Sequence, residues 1–189
     1  MILVIDNYDS FTYNLVQIAG TINSDIKIIR NDQFELDQIG IWKPSHIIIS
    51  PGPGRPEKAG HSISIIKKYG QSIPILGICL GHQSVGIAYG GSVSYSKEII
   101  HGKTSKINHN SSLLFKGIQG SFKATRYHSL VVDKKSLPKE LIINAQLNNG
   151  LIMGIEHKSH PVYGIQFHPE SIATKTGNII INNFLKMHI

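Results

Sequence analysis

Pro74 to Ala88 reads Pro-Ile-Leu-Gly-Ile-Cys-Leu-Gly-His-Gln-Ser-Val-Gly-Ile-Ala, and no other stretch constrains the chain as tightly. Ile73 to Ile78 is a short apolar run carrying one proline, which predicts a strand buried on both faces. Gly81 onward, with Val85, Ile87 and Ala88 apolar, predicts a helix. Cys79 falls on the turn between them. Gly77 and Gly81 flank it, where a tight strand-to-helix turn needs residues without a Cβ; with serine in place of cysteine the same construction is the nucleophile elbow of hydrolases. Such a turn lifts the side chain clear of the sheet. It also sets the sulfur at a helix N-terminus, where the macrodipole and free amide N–H groups favour thiolate. A buried structural cysteine is the other reading of the thiol taken alone.

Composition narrows the setting. A chain of 189 residues with 41% hydrophobic content is expected to form one domain over residues 1–189. A single cysteine excludes an internal disulfide or a cysteine-rich zinc site, and suits a reducing compartment. Met-Ile-Leu-Val-Ile-Asp at the start lacks the features of a signal peptide, and no run approaches a membrane span, so no membrane association is expected. The formal charge of +7 is dispersed, its densest pairs being Lys67-Lys68 and Lys134-Lys135, with no stacking-aromatic motif beside them. A solvated surface is expected rather than nucleic-acid binding. Richness in Ile, Asn and Lys points to an AT-rich genome, such as that of a plastid or a low-GC bacterium.

In chain order, Ile2 to Ile5 predicts a buried strand ending in Asp6. Ser10 is a plausible N-cap for a helix to Ile18 or Ala19, with Phe11, Leu15 and Ile18 as its apolar face. Ile26 to Ile29 predicts a second strand, Phe34 to Ile41 a short helix, His46 to Ser50 a third strand and Ser62 to Tyr69 a helix. Gly90-Gly91 closes the helix after Cys79. The pattern then shifts to shorter segments: Lys103 to Ile107, Phe122 to Tyr127, Leu141 to Leu147, Leu151 to Glu156 and Val162 to Phe167. Asn148-Asn149-Gly150 suits a hairpin between the third and fourth of these. Thr176 to His188 closes the chain as a helix with Ile179, Ile180, Phe184 and Leu185 as its stripe. The expectation is an α/β fold: a flavodoxin-like, open, mostly parallel sheet with helices on both faces, plus antiparallel strands in the C-terminal half.

Pro51-Gly52-Pro53-Gly54 leaves the third strand at its carboxyl end, the edge where open α/β sheets bind ligands. Alternating Pro and Gly makes a loop that is rigid yet presents backbone N–H groups unobstructed. It reads as an oxyanion or substrate-backbone site, or as an ordinary turn.

Gly164-Ile-Gln-Phe-His168-Pro-Glu170-Ser carries the second chemical constellation. Pro169 biases His168 toward an extended backbone, which turns His168 and Glu170 to one side as a hydrogen-bonded pair. A histidine oriented by a carboxylate is the base of a triad: Cys79 the nucleophile, His168 the proton carrier, Glu170 the group that sets its tautomer. His82 and His128 fall near loops of the same site, but neither has an adjacent carboxylate.

Gly77 to Gln83, the Pro51 to Gly54 loop and His168-Pro-Glu170 together resemble the three signatures of the class I, triad-type glutamine amidotransferases, over essentially the whole chain. Ile5 to Leu15, His101-Gly-Lys103 and Tyr127-His-Ser-Leu130 are similar to the amidotransferase subunits of anthranilate synthase and aminodeoxychorismate synthase. The resemblance implies an L-glutamine substrate, an oxyanion hole from the N–H groups of Gly52 and Leu80, and a glutamine pocket of Gly52, Pro53, Gly54, Gln83, Ser129 and Leu130. It also implies a hetero-oligomer with a chorismate-using synthase subunit and no cofactor or metal here, Mg2+ belonging to the partner. With the chain ending soon after Glu170, no fused synthase domain is expected. The implied location is the cytoplasm, or the plastid stroma for a plastid-encoded chain. Another Cys-His-Glu hydrolase, such as a glutamyl-peptide hydrolase, and a non-enzymatic binding module are the competing readings.

Overall fold

The computed structural model describes residues 1–187, with the backbone alone at 97–99. Along the chain run β1 (Ile2–Asp6), α1 (Thr12–Gly20), β2 (Ile26–Arg30), α2 (Gln38–Trp42), β3 (His46–Ile49), α3 (Ser62–Tyr69), β4 (Ile75–Ile78) and α4 (Leu80–Ala88). They are followed by β5 (Val93–His109), β6 (Phe122–Val132), β7 (Leu141–Gln146), β8 (Ile152–His157), β9 (Val162–Ile165) and α5 (Gly177–Leu185). The strands make one sheet in the order β2-β1-β3-β4-β9-β8-β7-β5-β6. Neighbours from β2 to β9 are parallel and the rest antiparallel. The parallel part has the flavodoxin-like order, with its switch point between β1 and β3.

The parallel strands are apolar throughout because both their faces are covered. Ile2, Val4 and Ile48 pack with Leu15 and Ala19 of α1 and Ile180 and Phe184 of α5. Leu3, Ile5, Ile47 and Ile49 turn the other way, onto Ile39, Ile65 and Ile66 of α2 and α3. This is the period-2 alternation of a strand between two helical layers, and each such fully buried side chain contributes roughly 1.5–3 kcal/mol. The Asn148-Asn149-Gly150 turn joins β7 to β8 as expected, with Leu147 N–H donating to Leu151 O at 3.0 Å.

Several expectations are corrected. Ser10 does not cap α1. The N-cap position is Phe11, without a side-chain bond. Asp9 Oδ2 accepts from Phe11 N–H at 2.9 Å, and Asp6 Oδ1 accepts from Asp9 N–H at 3.1 Å and from the Thr12 hydroxyl at 2.9 Å. The Phe11 N–H goes to the Asp9 carboxylate, that of Thr12 to Asp9 O and that of Asn14 to Phe11 O, so Ser10 has no capping role and stays exposed. Phe34 to Leu36 lie in turns ahead of α2, because the Phe34 ring is drawn into the core beside Trp42.

β5 covers Val93–His109, far beyond Lys103 to Ile107, and its register against β6 shifts between Tyr95 and Ile100 and between His101 and Lys103. Each shift swaps the facing of the residues that follow, so no continuous alternation marks the strand. β6 continues past Tyr127 to Val132, whereas β9 stops at Ile165. In α5, Ile179 is 40% exposed and Ile181 is buried. The helix begins at Gly177, so residues 177, 180, 181 and 184 share its inner stripe. The expected end at His188 lies outside the described residues.

Candidate active site

Cys79 sits between β4 and α4 with φ 52° and ψ −97°, a conformation that costs an L-residue strain and is kept only where the surroundings hold it. They do. A Cβ on Gly77 would lie 2.3 Å from the Gly81 carbonyl oxygen, and one on Gly81 would lie 2.4 Å from that of Ile49. Cys79 N–H donates to Ile165 O at 2.8 Å, tying the turn to β9. Leu80 opens α4, whose first turn has no side-chain cap, so its amide N–H is one of the helix's free donors. The cysteine is 6% exposed. Its sulfur donates to the Tyr127 carbonyl at 3.6 Å and accepts from Gln166 Nε2 at 3.5 Å.

His168 is carried past the end of β9, its N–H on Thr125 O at 2.9 Å and its carbonyl receiving the Thr174 hydroxyl at 2.8 Å. Nδ1 meets Glu170 Oε1 at 2.5 Å. Phe11 and Tyr127 close edge-on around the ring, at centroid distances of 6.0 and 5.1 Å. Nε2 is buried and makes no hydrogen bond. Burial opposes charge on this ring, but the nearby Cys79 sulfur and then Glu170 outweigh it and raise its pKa to about 10. His168 therefore holds its proton at neutral pH, beside the one thiol of the chain.

The Pro51 to Gly54 loop is fastened from below. Asn7 N–H donates to Ser50 Oγ and Asn7 Nδ2 to Ser50 O, both at 2.8 Å, while Asn7 Oδ1 accepts from Asn31 Nδ2 and from the Ser62 hydroxyl. This buried network stands at the switch point between β1 and β3. It seats Gly52 so closely that a Cβ there would fall 2.5 Å from Asn7 Cβ and 2.8 Å from Leu80 Cδ2. Gly52 and Leu80 are thus neighbours. Pro53 and Gly54 lie on the exposed rim.

Gln83, one turn into α4, is 3% exposed and donates through Nε2 to Leu130 O at 3.0 Å and to Gln166 Oε1 at 3.2 Å. Ser129 is half-buried beside Leu130 on β6. The structure therefore gathers Cys79, His168, Glu170, Gly52, Leu80, Gln83 and Leu130. His82 and His128 are buried, and burial first of all lowers their pKa values, to about 3 and about 4. His128 Nε2 accepts from Arg126 Nε at 3.0 Å.

A cavity of about 730 Å³ lies elsewhere, lined by Ser94, Tyr95, Val132, Lys134, Leu147 and Leu151 among others, and by no triad residue. Among the described residues no three His, Cys, Asp or Glu side chains converge on a metal position. Sequence reasoning missed the site roles of Gln166, the Tyr127 carbonyl, Thr125 and Asn7. Gln166 and Tyr127 stand inside recognised motifs, but contacts made through a buried amide or a carbonyl leave no residue-type signal.

The model of the family "Glutamine amidotransferase class-I" matches residues 3–187. The chain belongs to that family. Among curated relatives, this amidotransferase is 52% identical over 98% of its length to the bifunctional protein TrpGD of Thermotoga maritima, of which it spans 32%. It is 50% identical to anthranilate synthase component 2 of Pyropia yezoensis, over 98% of this chain and 99% of that one. It is 46% identical to aminodeoxychorismate/anthranilate synthase component 2 of Bacillus subtilis, over 100% and 97%. Of solved structures, a putative GMP synthase subunit from Thermoplasma acidophilum superposes with a TM-score of 0.85 at 26% identity, over 97% of the amidotransferase and 91% of that chain. Among the described residues of the amidotransferase, no helix is long and apolar enough to cross a membrane.

Proposed function

We propose that this amidotransferase is the glutaminase component of anthranilate synthase, hydrolysing L-glutamine at Cys79 and passing ammonia to a larger synthase subunit that aminates chorismate. The observation that carries the chemistry is the 2.5 Å contact of His168 Nδ1 with Glu170 Oε1 behind the thiol. The full-length likeness to component 2 proteins supports the pathway.

In this reading the Cys79 thiolate attacks the carboxamide carbon of glutamine. The amide N–H groups of Gly52 and Leu80 receive the developing oxyanion, each donor contributing on the order of 3 kcal/mol to lowering the barrier. His168 gives its proton to the departing nitrogen, and ammonia leaves. His168 then takes a proton from water, whose oxygen opens the glutamyl thioester and releases glutamate and thiolate. Gln83, the backbone of Ser129 and Leu130, and Gly52, Pro53 and Gly54 hold the glutamine.

The synthase partner makes the assembly a hetero-oligomer, and any Mg2+ belongs to that partner. The cytoplasm, or the stroma of a plastid, is the proposed location. A role in aminodeoxychorismate synthesis, or in both pathways, is the second reading, and the double name of the Bacillus subtilis relative favours it.

The test mixes the purified chain with the chorismate-using synthases of its source, glutamine and chorismate, and identifies the product by mass spectrometry. Anthranilate is the expected product, aminodeoxychorismate would move the chain to the second reading, and no glutamine-dependent product would sink both. Cys79→Ala is expected to abolish glutamine-dependent product while the partner still uses free ammonia.

A further inference from the structure

Gln166 follows β9 directly, with its backbone N–H on Met153 O at 2.9 Å and its side chain fully out of solvent. Gln83 Nε2 can only donate, so the Gln166 atom facing it at 3.2 Å is the carbonyl oxygen. This leaves the Gln166 NH2 group aimed at the Cys79 sulfur, 3.5 Å away. The orientation of the amide is fixed by the chain Leu130 O, Gln83, Gln166, Cys79 rather than by choice.

We propose that Gln166 is a dedicated hydrogen-bond donor to the Cys79 thiolate, a further catalytic residue of the glutaminase reaction, on whose assignment this reading rests. A neutral thiol or a thioester sulfur is a weak acceptor, whereas a thiolate forms a charge-assisted bond. The donor therefore favours the sulfur in two states: before attack, when its proton is on His168, and at hydrolysis of the thioester, when sulfur departs with the bonding pair. His168 gives its proton to the leaving nitrogen and takes one from water, and the Tyr127 carbonyl can only accept, so Gln166 gives the sulfur a second donor whose hydrogen is not transferred in the reaction.

Cys79 is the single cysteine, so its alkylation by iodoacetamide reads the sulfur directly and needs no glutamine. Gln166→Glu keeps the acceptor that Gln83 uses and replaces the donor by a carboxylate oxygen; Gln166→Met removes both. The midpoint of alkylation against pH is expected to move to higher pH by about one unit in Gln166→Met and further in Gln166→Glu. kcat at neutral pH is expected to fall about tenfold or more with them. Gln83→Met, which leaves the Gln166 amide beside the sulfur but frees its far end, is expected to raise KM and to move the midpoint less than Gln166→Met does. If Gln166 served only to brace Gln83, Gln166→Met would copy Gln83→Met in both KM and midpoint; that result overturns the proposal. Gln166→Leu, of similar bulk, uncharged and without a donor, carries the test if Gln166→Met does not fold. Glutamine hydrolysis by the wild-type chain reports on the glutaminase reading separately.

Discussion

His168 Nδ1 stands 2.5 Å from Glu170 Oε1, with both side chains at most 3% exposed. A contact this short between buried groups fixes the ring's tautomer and its plane together, so Nε2 faces the thiol without a search among rotamers.

Glu170→Gln keeps the shape and removes the charge. Burial already opposes the charged ring and the sulfur alone is left to support it, so the proton now held to about pH 10 is released at lower pH. The thiolate–imidazolium form is lost as pH rises through that value. The alkaline limb of kcat/KM is therefore expected to move down in pH, with kcat reduced roughly a hundredfold or more. An unshifted limb measured in a glutaminase assay would contradict this role of Glu170.

Gly52→Ala puts a Cβ 2.6 Å from the Asn7 carbonyl oxygen. Backbone cannot yield there as a side-chain tip can, so the loop shifts and its N–H leaves the oxyanion position. Loss of one such donor predicts a kcat lower by roughly 100- to 1000-fold, with KM changed far less. Steady-state kinetics on glutamine decides it.

Gly177→Ala tests a contact outside the catalytic set. Its Cβ would fall 1.8 Å from the Pro169 carbonyl oxygen, in the peptide that joins Pro169 to Glu170. Overpacking of this kind destabilises by about 1–3 kcal/mol. Because the atom pushed belongs to the triad segment, kcat is expected to fall together with Tm. Wild-type activity at a lowered Tm would show that α5 and the triad are not mechanically linked.

His82 and His128 are buried with pKa values lowered to about 3 and about 4. The unfolded chain binds their protons below about pH 6.5 and the folded chain does not, so stability present above that pH is lost as pH falls toward 4. Each pKa unit realised costs about 1.4 kcal/mol, which for a chain of this length is a Tm drop of roughly 3 °C. His82→Leu, similar in bulk and without a titrating ring, is expected to flatten the acid limb of a Tm–pH curve.

The cysteine elbow, the parallel strands and the His168–Glu170 pair were legible in the sequence because each is local. A glycine-flanked turn, an apolar run and two polar residues flanking a proline act within a few positions of one another, so residue type and spacing carry their meaning. Ser10 and β5 were misread for the opposite reason. Ser10 was displaced by carboxylates whose own placement depends on Arg30 of β2 binding Asp6 at 3.2 Å, and β5 acquires its length only by pairing with β6.

Residue order alone thus set the chemistry on offer: one thiol, one oriented imidazole and one rigid donor loop. Folding settled what surrounds the sulfur. Main-chain carbonyls of β6 and the amide of Gln166 reach Cys79 and Gln83 only because β9 runs parallel to β4 and β6 folds back over the elbow. Contacts between residues distant in sequence follow from strand order, and strand order is settled by burying both faces of the sheet at once.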